Sequence, residues 1–309
     1  MAFLNALPGA VAEGLIWGLM AIGVYISYKI LDIADLTVDG SICTGACVCA
    51  VLLGLVVPAW ISVLAALAAG AVTGVVTGLL HTRLGIPSIL AGILTQLMLY
   101  SVNLLILGGK SLVAIDPRTN QLLVHMSRNN GSIVSLVIIA GVTIFLLYQF
   151  FYTEIGLTLK STGDNPDMSR AQGVDVNRNK VVGLAIANGI GAMAGALLAQ
   201  YKGSANINDG RGAIVIGLAA IFIGLSVSTK IKPNFVVSLM GVIGGIIYYI
   251  VYNFVILMGL KTDYLKGHVV VDVEGEAKQK LTVEDLLKLF AQASGREFSS
   301  DRAILSCPL

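Results

Sequence analysis

The sequence predicts an all-α fold: a polytopic transmembrane helix bundle of about eight spans, with a short polar helix between two of them and a small soluble C-terminal tail. Three observations lead there. Eight apolar stretches fill most of the chain. The composition is 56% hydrophobic and 12% charged with a mean hydropathy of +0.85, against about 25% charged in soluble domains. One polar loop, Thr153 to Lys180, interrupts the apolar runs between the fifth and sixth stretch.

The stretches read in order as spans. Pro8–Ile30 is too long, and lacks the basic flank, for a cleaved leader, so it is expected to stay in the mature protein. Ser41–Val57 and Ala213–Val227 are short, which makes them candidates for broken or re-entrant helices. Non-helical backbone at membrane depth survives only inside protein or beside a water-filled cavity. Ala59–Leu80, Pro87–Leu107, Ile133–Tyr152, Val181–Gln200 and Phe235–Leu260 have the roughly 20 apolar residues that a crossing helix needs.

Small residues mark where these helices pack. Gly70, Gly74 and Gly78 are four apart on the third span, as are Gly183, Ala187, Gly191 and Gly195 on the sixth. That spacing builds a groove for close helix approach in lipid, either as a fixed seam or as a sliding contact. Gly241, Gly244 and Gly245 add a closely packed point on the eighth span.

The polar loop carries its own helix signals. Asn165 is a good N-cap, Pro166 suits the first helical position, and Gly173 can close the end in a left-handed conformation. The result is a miniature helix of about two turns, a device that merely turning the chain does not require. It suits a protein that receives a push from a soluble partner. With this helix inside the cell, eight basic residues fall on the inner side: Lys29, Arg83, Lys160, Arg170, Arg178, Lys180, Lys230 and Lys232. Five fall outside: Lys110, Arg118, Arg128, Lys202 and Arg211. The bias has the sign of the positive-inside rule and puts the N-terminus outside.

Other chemistry is sparse. Cys43, Cys47 and Cys49 lack zinc spacing with any His and read as small buried hydrophobes, and Cys307 implies no disulfide framework. His81, His125 and His268 are scattered and read as solvated. Gln96, Tyr100 and Asn103 form one polar stripe on the fourth span, suited to interhelical hydrogen bonds or to lining a substrate path. Tyr248, Tyr249, Tyr252 and Asn253 fit an interfacial belt equally well. No basic run follows a phosphate backbone, so nucleic acid is not an expected partner.

Three segments carry a family resemblance: DLTVDGS from Asp35 to Ser41, the run from Leu159 to Gln200, and GRGAIVIGLAAIFIG from Gly210 to Gly224. Their order and spacing resemble the permease subunits of bacterial ABC importers in the branched-chain amino acid and simple-sugar group, across about residues 5 to 266. Within it the chain looks most like permeases attributed to tryptophan or related aromatic amino acids. The resemblance implies an inner-membrane, multi-pass protein for amino acids or similar small polar solutes. It also implies a second permease copy, a separate ATP-binding cassette ATPase, an extracytoplasmic binding protein or lipoprotein, and surrounding lipid. Matching the family's coupling region are Gly163, Asp164, Asn165, Arg170 and Gly173, with Asp167, Met168 and Ala171 on the surface offered to the ATPase. The chain has no GxxxxGK[ST] phosphate loop, so ATP chemistry is expected in the partner and no cofactor here.

The tail departs from that pattern. Residues 267–309 hold 12 charged residues in 43, where the family continues with another membrane helix. HVVVDVEGE reads as a strand and turn, and Thr282 with Asp285 caps an amphipathic helix ending at Gly295. KLTVEDLLKLFAQASG and SSDRAILS resemble the C-terminal end of the ATPase subunit of such importers. The expected division is a permease domain over 1–266, containing the coupling loop 153–180, and a soluble tail over 267–309 joined from that neighbour. An ion-coupled secondary transporter is the alternative, but Glu13 is the only acidic residue inside the expected spans, and that class usually needs an ionisable group at mid-membrane.

Overall fold

The computed structural model describes residues 2–115, 122–124, 131–227 and 235–257. The strand and helix expected after residue 267 lie outside the described residues. α1 (Ala2–Tyr25) continues into a π-helical turn, Ile26–Ile30. α2 (Thr37–Gly54), α3 (Ala59–Thr82), α4 (Ser88–Ile106) and α5 (Gly131–Phe151) follow. α6 (Glu154–Asp164) and α7 (Pro166–Ala171) lead into α8 (Val176–Lys202), and α9 (Ala213–Val227) and α10 (Phe235–Leu257) come last. α1 with its π turn, α2, α3, α4, α5 and α8 are long and apolar enough to cross a membrane; α9 is a shorter apolar helix of 15 residues, and α10 is apolar over Gly241–Val255.

α8 is the axis of the core. It is buried along most of its length because its sequence is Gly/Ala-rich and neighbours reach its backbone. Gly70, Gly74 and Gly78 of α3 lie against Asn188, Leu184 and Val181, so closely that a Cβ on any of them would overlap α8. The glycine row of α8 faces elsewhere: Gly183 meets Leu31, Gly191 meets Val38 and Gly195 meets Ile42. Thus α8 offers one small-residue face to α3 and another to α2. Gly244 and Gly245 of α10 make two more close contacts, with Ala220 of α9 and with Gly14 and Gly18 of α1. In lipid such seams gain van der Waals contact that bulkier side chains would prevent.

Several expected boundaries move. α2 begins at Thr37, four residues before the expected start, so the second apolar span carries Asp39 and Glu13 is not the only acid within the spans. Polarity hid that first turn, which lies against protein. The loop after α5 holds two helices rather than one. Thr153 caps α6 by accepting the Gly156 N–H at 3.3 Å, and Asp175 caps α8 by accepting that of Arg178 at 3.1 Å. α8 therefore starts five residues before the expected Val181, its first turn being too polar to count as span. A ribbon also went unpredicted: β1 (Leu112–Ala114) pairs antiparallel with β2 (Ser204–Asn206), three residues each, too short for a period to register.

Both short spans begin inside the bundle. The chain reverses at Asp32 (φ +53°), and Leu31–Leu36 runs inward as non-helical backbone. It delivers Asp35 to Asn188, twelve residues into α8, or about 18 Å along its axis at 1.5 Å per residue. From there α2 runs parallel to α8, with Gly45 against Ala192 and Cys49 against Gln200. After β2 the chain folds back until Gly210 meets Asp39; α9 then runs the opposite way, Gly217 packing on Met20 and Val24.

Candidate functional site

The first turns of α2 and α9, which both begin inside the bundle, are tied together at Asp39. Its Oδ1 accepts the Ile214 N–H at 2.8 Å and its Oδ2 accepts the Gly212 N–H at 3.1 Å. A carboxylate from the first turn of α2 therefore satisfies orphan donors of α9, where the helix dipole also favours negative charge. Cys43, one turn on, donates its thiol to the Ile207 carbonyl at 2.9 Å and accepts the Gly210 N–H at 3.1 Å. The sequence reading gave this cysteine only a packing role. It also holds the returning segment in place.

Beside this junction is a cavity of about 440 Å³. α2 contributes Asp39, Gly40 and Cys43; α4 contributes Gln96, Leu97, Tyr100 and Asn103; the returning segment contributes Ile207 and Arg211. The polar stripe expected on the fourth span is thereby brought together on one wall. Asn103 is 1% exposed and its Oδ1 is a buried polar atom without a hydrogen-bond partner among the described residues, whereas Leu97 and Tyr100 are exposed.

A second polar cluster lies deeper. Asp35 Oδ2 accepts Asn188 Nδ2–H at 2.6 Å, and its Oδ1 accepts the Thr37 N–H at 2.9 Å. Asn188 Oδ1 accepts the Ser41 hydroxyl at 2.6 Å; Ser41 and Thr37 reach Thr73 and Thr77 of α3, each at 2.8 Å. The chain links α2, α3 and α8.

The third feature is the α6–α7 segment. Asn165 (φ −155°) accepts the Met168 N–H at 3.0 Å, Pro166 takes the first turn, and Gly173 (φ +84°) ends the element. Ser169 is buried: its hydroxyl bonds Asn165 O at 3.0 Å and Ser161 at 3.3 Å. Asn179 Nδ2–H donates to Thr162 at 3.0 Å, pinning α6 to α8. Asp167, Met168, Arg170 and Ala171 are exposed, Met168 at 60%, and Arg170 pairs with Asp167 at 2.9 Å. Gly163 sits where a Cβ would overlap the Ile30 carbonyl oxygen, and Asp164 is exposed at the end of α6.

Asp35, Asp39, Asn188 and Arg211 have no individual role in the sequence reasoning, although all four lie within the segments that carry the resemblance, Asp35 and Asp39 both in DLTVDGS. Asp35 two residues before Thr37 is a local turn signal; Asp39 to α9 is a contact across 175 residues that no pattern announces. Among the aromatics, Tyr249 is buried and stacks on Trp17 with ring centroids 6.0 Å apart, so it belongs to the interior rather than to a belt.

Discontinuous helices around a polar cavity, within a bundle of apolar helices, define a membrane permease. The comparisons specify which: the chain belongs to the family described as branched-chain amino acid transport system, permease component, which matches residues 9–270. It is a membrane permease subunit of the bacterial ABC importer type, multi-pass in the inner membrane, and the family is a transport component rather than a catalytic one. A tyrosine transport system permease protein of Clostridioides difficile (strain R20291) is 35% identical over 270 residues, covering 85% of this chain and 87% of the relative. An uncharacterized protein, RP368, of Rickettsia prowazekii (strain Madrid E) is 34% identical over 75% of this chain and 81% of the relative. The ribose import permease protein RbsC of Escherichia coli (strain K12) is 25% identical over 74% and 71%. No solved structure matches. Membership implies ATPase and substrate-binding partners.

Proposed function

We propose that this chain forms, with a second copy, the translocation path of an importer for an amino acid or similar small polar solute, and that α7 takes the push from a separate ATPase. The observation that carries the coupling role is the division of α7 into two faces. Ser169 and the Asn165 cap hold one against α6, while Asp167, Met168, Arg170 and Ala171 face outward. A six-residue helix cannot persist alone, because nucleation is costly, so its anchoring makes it a rigid contact. Gly163 lets α6 touch the end of α1, which transmits movement at α7 into the bundle.

The amino-acid assignment, aromatic in preference, is supported by the relative named as a tyrosine permease; the one named for ribose makes sugar the competing class. An extracytoplasmic binding protein or lipoprotein delivers the solute, and lipid together with the second copy covers the exposed apolar side chains of α3, α4 and α5, such as Leu64, Leu105 and Phe145. The secondary-carrier alternative is weakened at its own requirement, since both buried acids have their oxygens occupied, Asp39 by the Gly212 and Ile214 N–H groups and Asp35 by the Thr37 N–H and Asn188 Nδ2–H. We further propose that residues 267–309 are a segment joined from the neighbouring ATPase; separate, full-length genes for both subunits beside this one would remove that idea.

Purifying the full chain from native membranes tests the reading. A cassette ATPase should co-purify, and the reconstituted assembly with its binding protein should take up an amino acid at the expense of ATP. Uptake driven by an ion gradient without ATP would overturn it.

A further inference from the structure

We infer that the cavity between α2, α4 and the returning 207–211 segment binds its solute as a zwitterion, with Arg211 on the α-carboxylate and Asn103 Oδ1 on the α-ammonium. This assignment rests on the amino-acid reading above and adds the atoms that recognise the solute. An unpaired buried acceptor and a charged group lining one cavity carry it. Asn103 is nine-tenths and more buried and lines the cavity, and its Oδ1 has no donor among the described residues. A buried acceptor left unpaired is costly, so a retained one calls for a donor from the cavity. Arg211, an exposed residue of the cavity lining, supplies a positive charge beside it. Among the described residues it forms no ion pair: Asp209 is held by Lys202 at 3.0 Å, and both Asp39 oxygens are taken by α9 N–H groups.

A spare acceptor and a spare cation together select a molecule with both a donor and an anion. An α-amino acid has both. A neutral sugar has no anion for Arg211, and a simple carboxylate has no ammonium for Asn103. The fixed carboxylate of Asp39 adds negative potential on the same side, which favours the ammonium further. Leu97, Ile207 and the Tyr100 ring give the side chain apolar surface, and about 440 Å³ lies within the range of small-ligand pockets, about 300–1,000 Å³.

The test uses the full chain in lipid nanodiscs without the binding protein, with four labelled probes: L-tyrosine, tyramine, 3-(4-hydroxyphenyl)propionate and D-ribose. L-Tyrosine should bind most tightly. Arg211→Gln should weaken L-tyrosine and the propionate by about tenfold or more, the equivalent of one hydrogen bond to a charge, and leave tyramine unchanged. Asn103→Leu, close in volume, should weaken L-tyrosine and tyramine and leave the propionate unchanged. Equal losses for all probes, no change in either variant, or no saturable binding at all would overturn the assignment. If the complete importer carries L-tyrosine while the variants bind normally, only the cavity assignment fails. If it carries D-ribose alone, the amino-acid reading fails with it.

Discussion

Asp39 accepts the backbone N–H of Ile214 at 2.8 Å, so a carboxylate on α2 caps a helix 175 residues away in sequence. The bond fixes where the first turns of α2 and α9 meet and sets one wall of the cavity. Asp39→Ala removes an N-cap, a change that costs about 0.5–2 kcal/mol in ordinary helices. Here it also leaves two inward-facing N–H groups unpaired, so the loss should fall at the upper end. Asp39→Asn keeps an acceptor oxygen and should lose less. Thermal unfolding of the detergent-solubilised variants checks the order; equal stability of all three proteins would contradict it.

Gly74 sets a second limit. A Cβ there would overlap the Leu184 carbonyl, which is helix backbone and cannot swing aside. Gly74→Ala should therefore destabilise by about 1–3 kcal/mol, the range for overpacking. Gly141 on α5 has nothing within 4 Å, so Gly141→Ala should be neutral or stabilise by up to about 1 kcal/mol through helix propensity. The unfolding midpoint of Gly74→Ala should fall and that of Gly141→Ala should hold or rise; an unchanged or raised midpoint in Gly74→Ala would mean that α3 and α8 are not packed this tightly.

Asp35 ties the start of α2 to α8 through the Thr37 N–H and Asn188 Nδ2–H. Asp35→Ala takes an acceptor from both buried donors, leaving Asn188 Nδ2 only the Leu184 carbonyl, and should destabilise by about 1–3 kcal/mol. Asp35→Asn keeps an acceptor oxygen and should lose less. Thermal unfolding of the two variants checks the order, and an unchanged midpoint in Asp35→Ala would show that this link does not hold α2 to α8.

How much of this was legible beforehand depends on the reach of each interaction. The Asn165–Pro166–Gly173 signals act within nine residues, and the structure has them as read. The stripe of Gln96, Tyr100 and Asn103 follows helical period alone, and these residues do share one cavity wall. The start of α2 was misplaced because Thr37, Asp39 and Ser41 look unlike membrane residues until α3, α8 and α9 supply their partners. α6 was missed because its sequence, EIGLTLKSTGD, is polar on one side and lies between stronger signals. Arg211 was read as an outer-loop charge, since nothing local tells that the chain returns inward there.

The coupling assignment of α7 is tested most directly by substrate-stimulated ATP hydrolysis in the complete importer. Asn165→Ala removes the cap, at a cost of about 1 kcal/mol of local order, and Gly173→Val forces a β-branched residue to φ +84°. Met168→Glu changes only an exposed contact and leaves the helix intact. All three should insert normally in the membrane, and all three should lose both transport and the stimulation of ATP hydrolysis by substrate. Unaltered stimulation in the Met168→Glu protein and in the Asn165→Ala, Gly173→Val double variant would show that the ATPase engages the permease elsewhere.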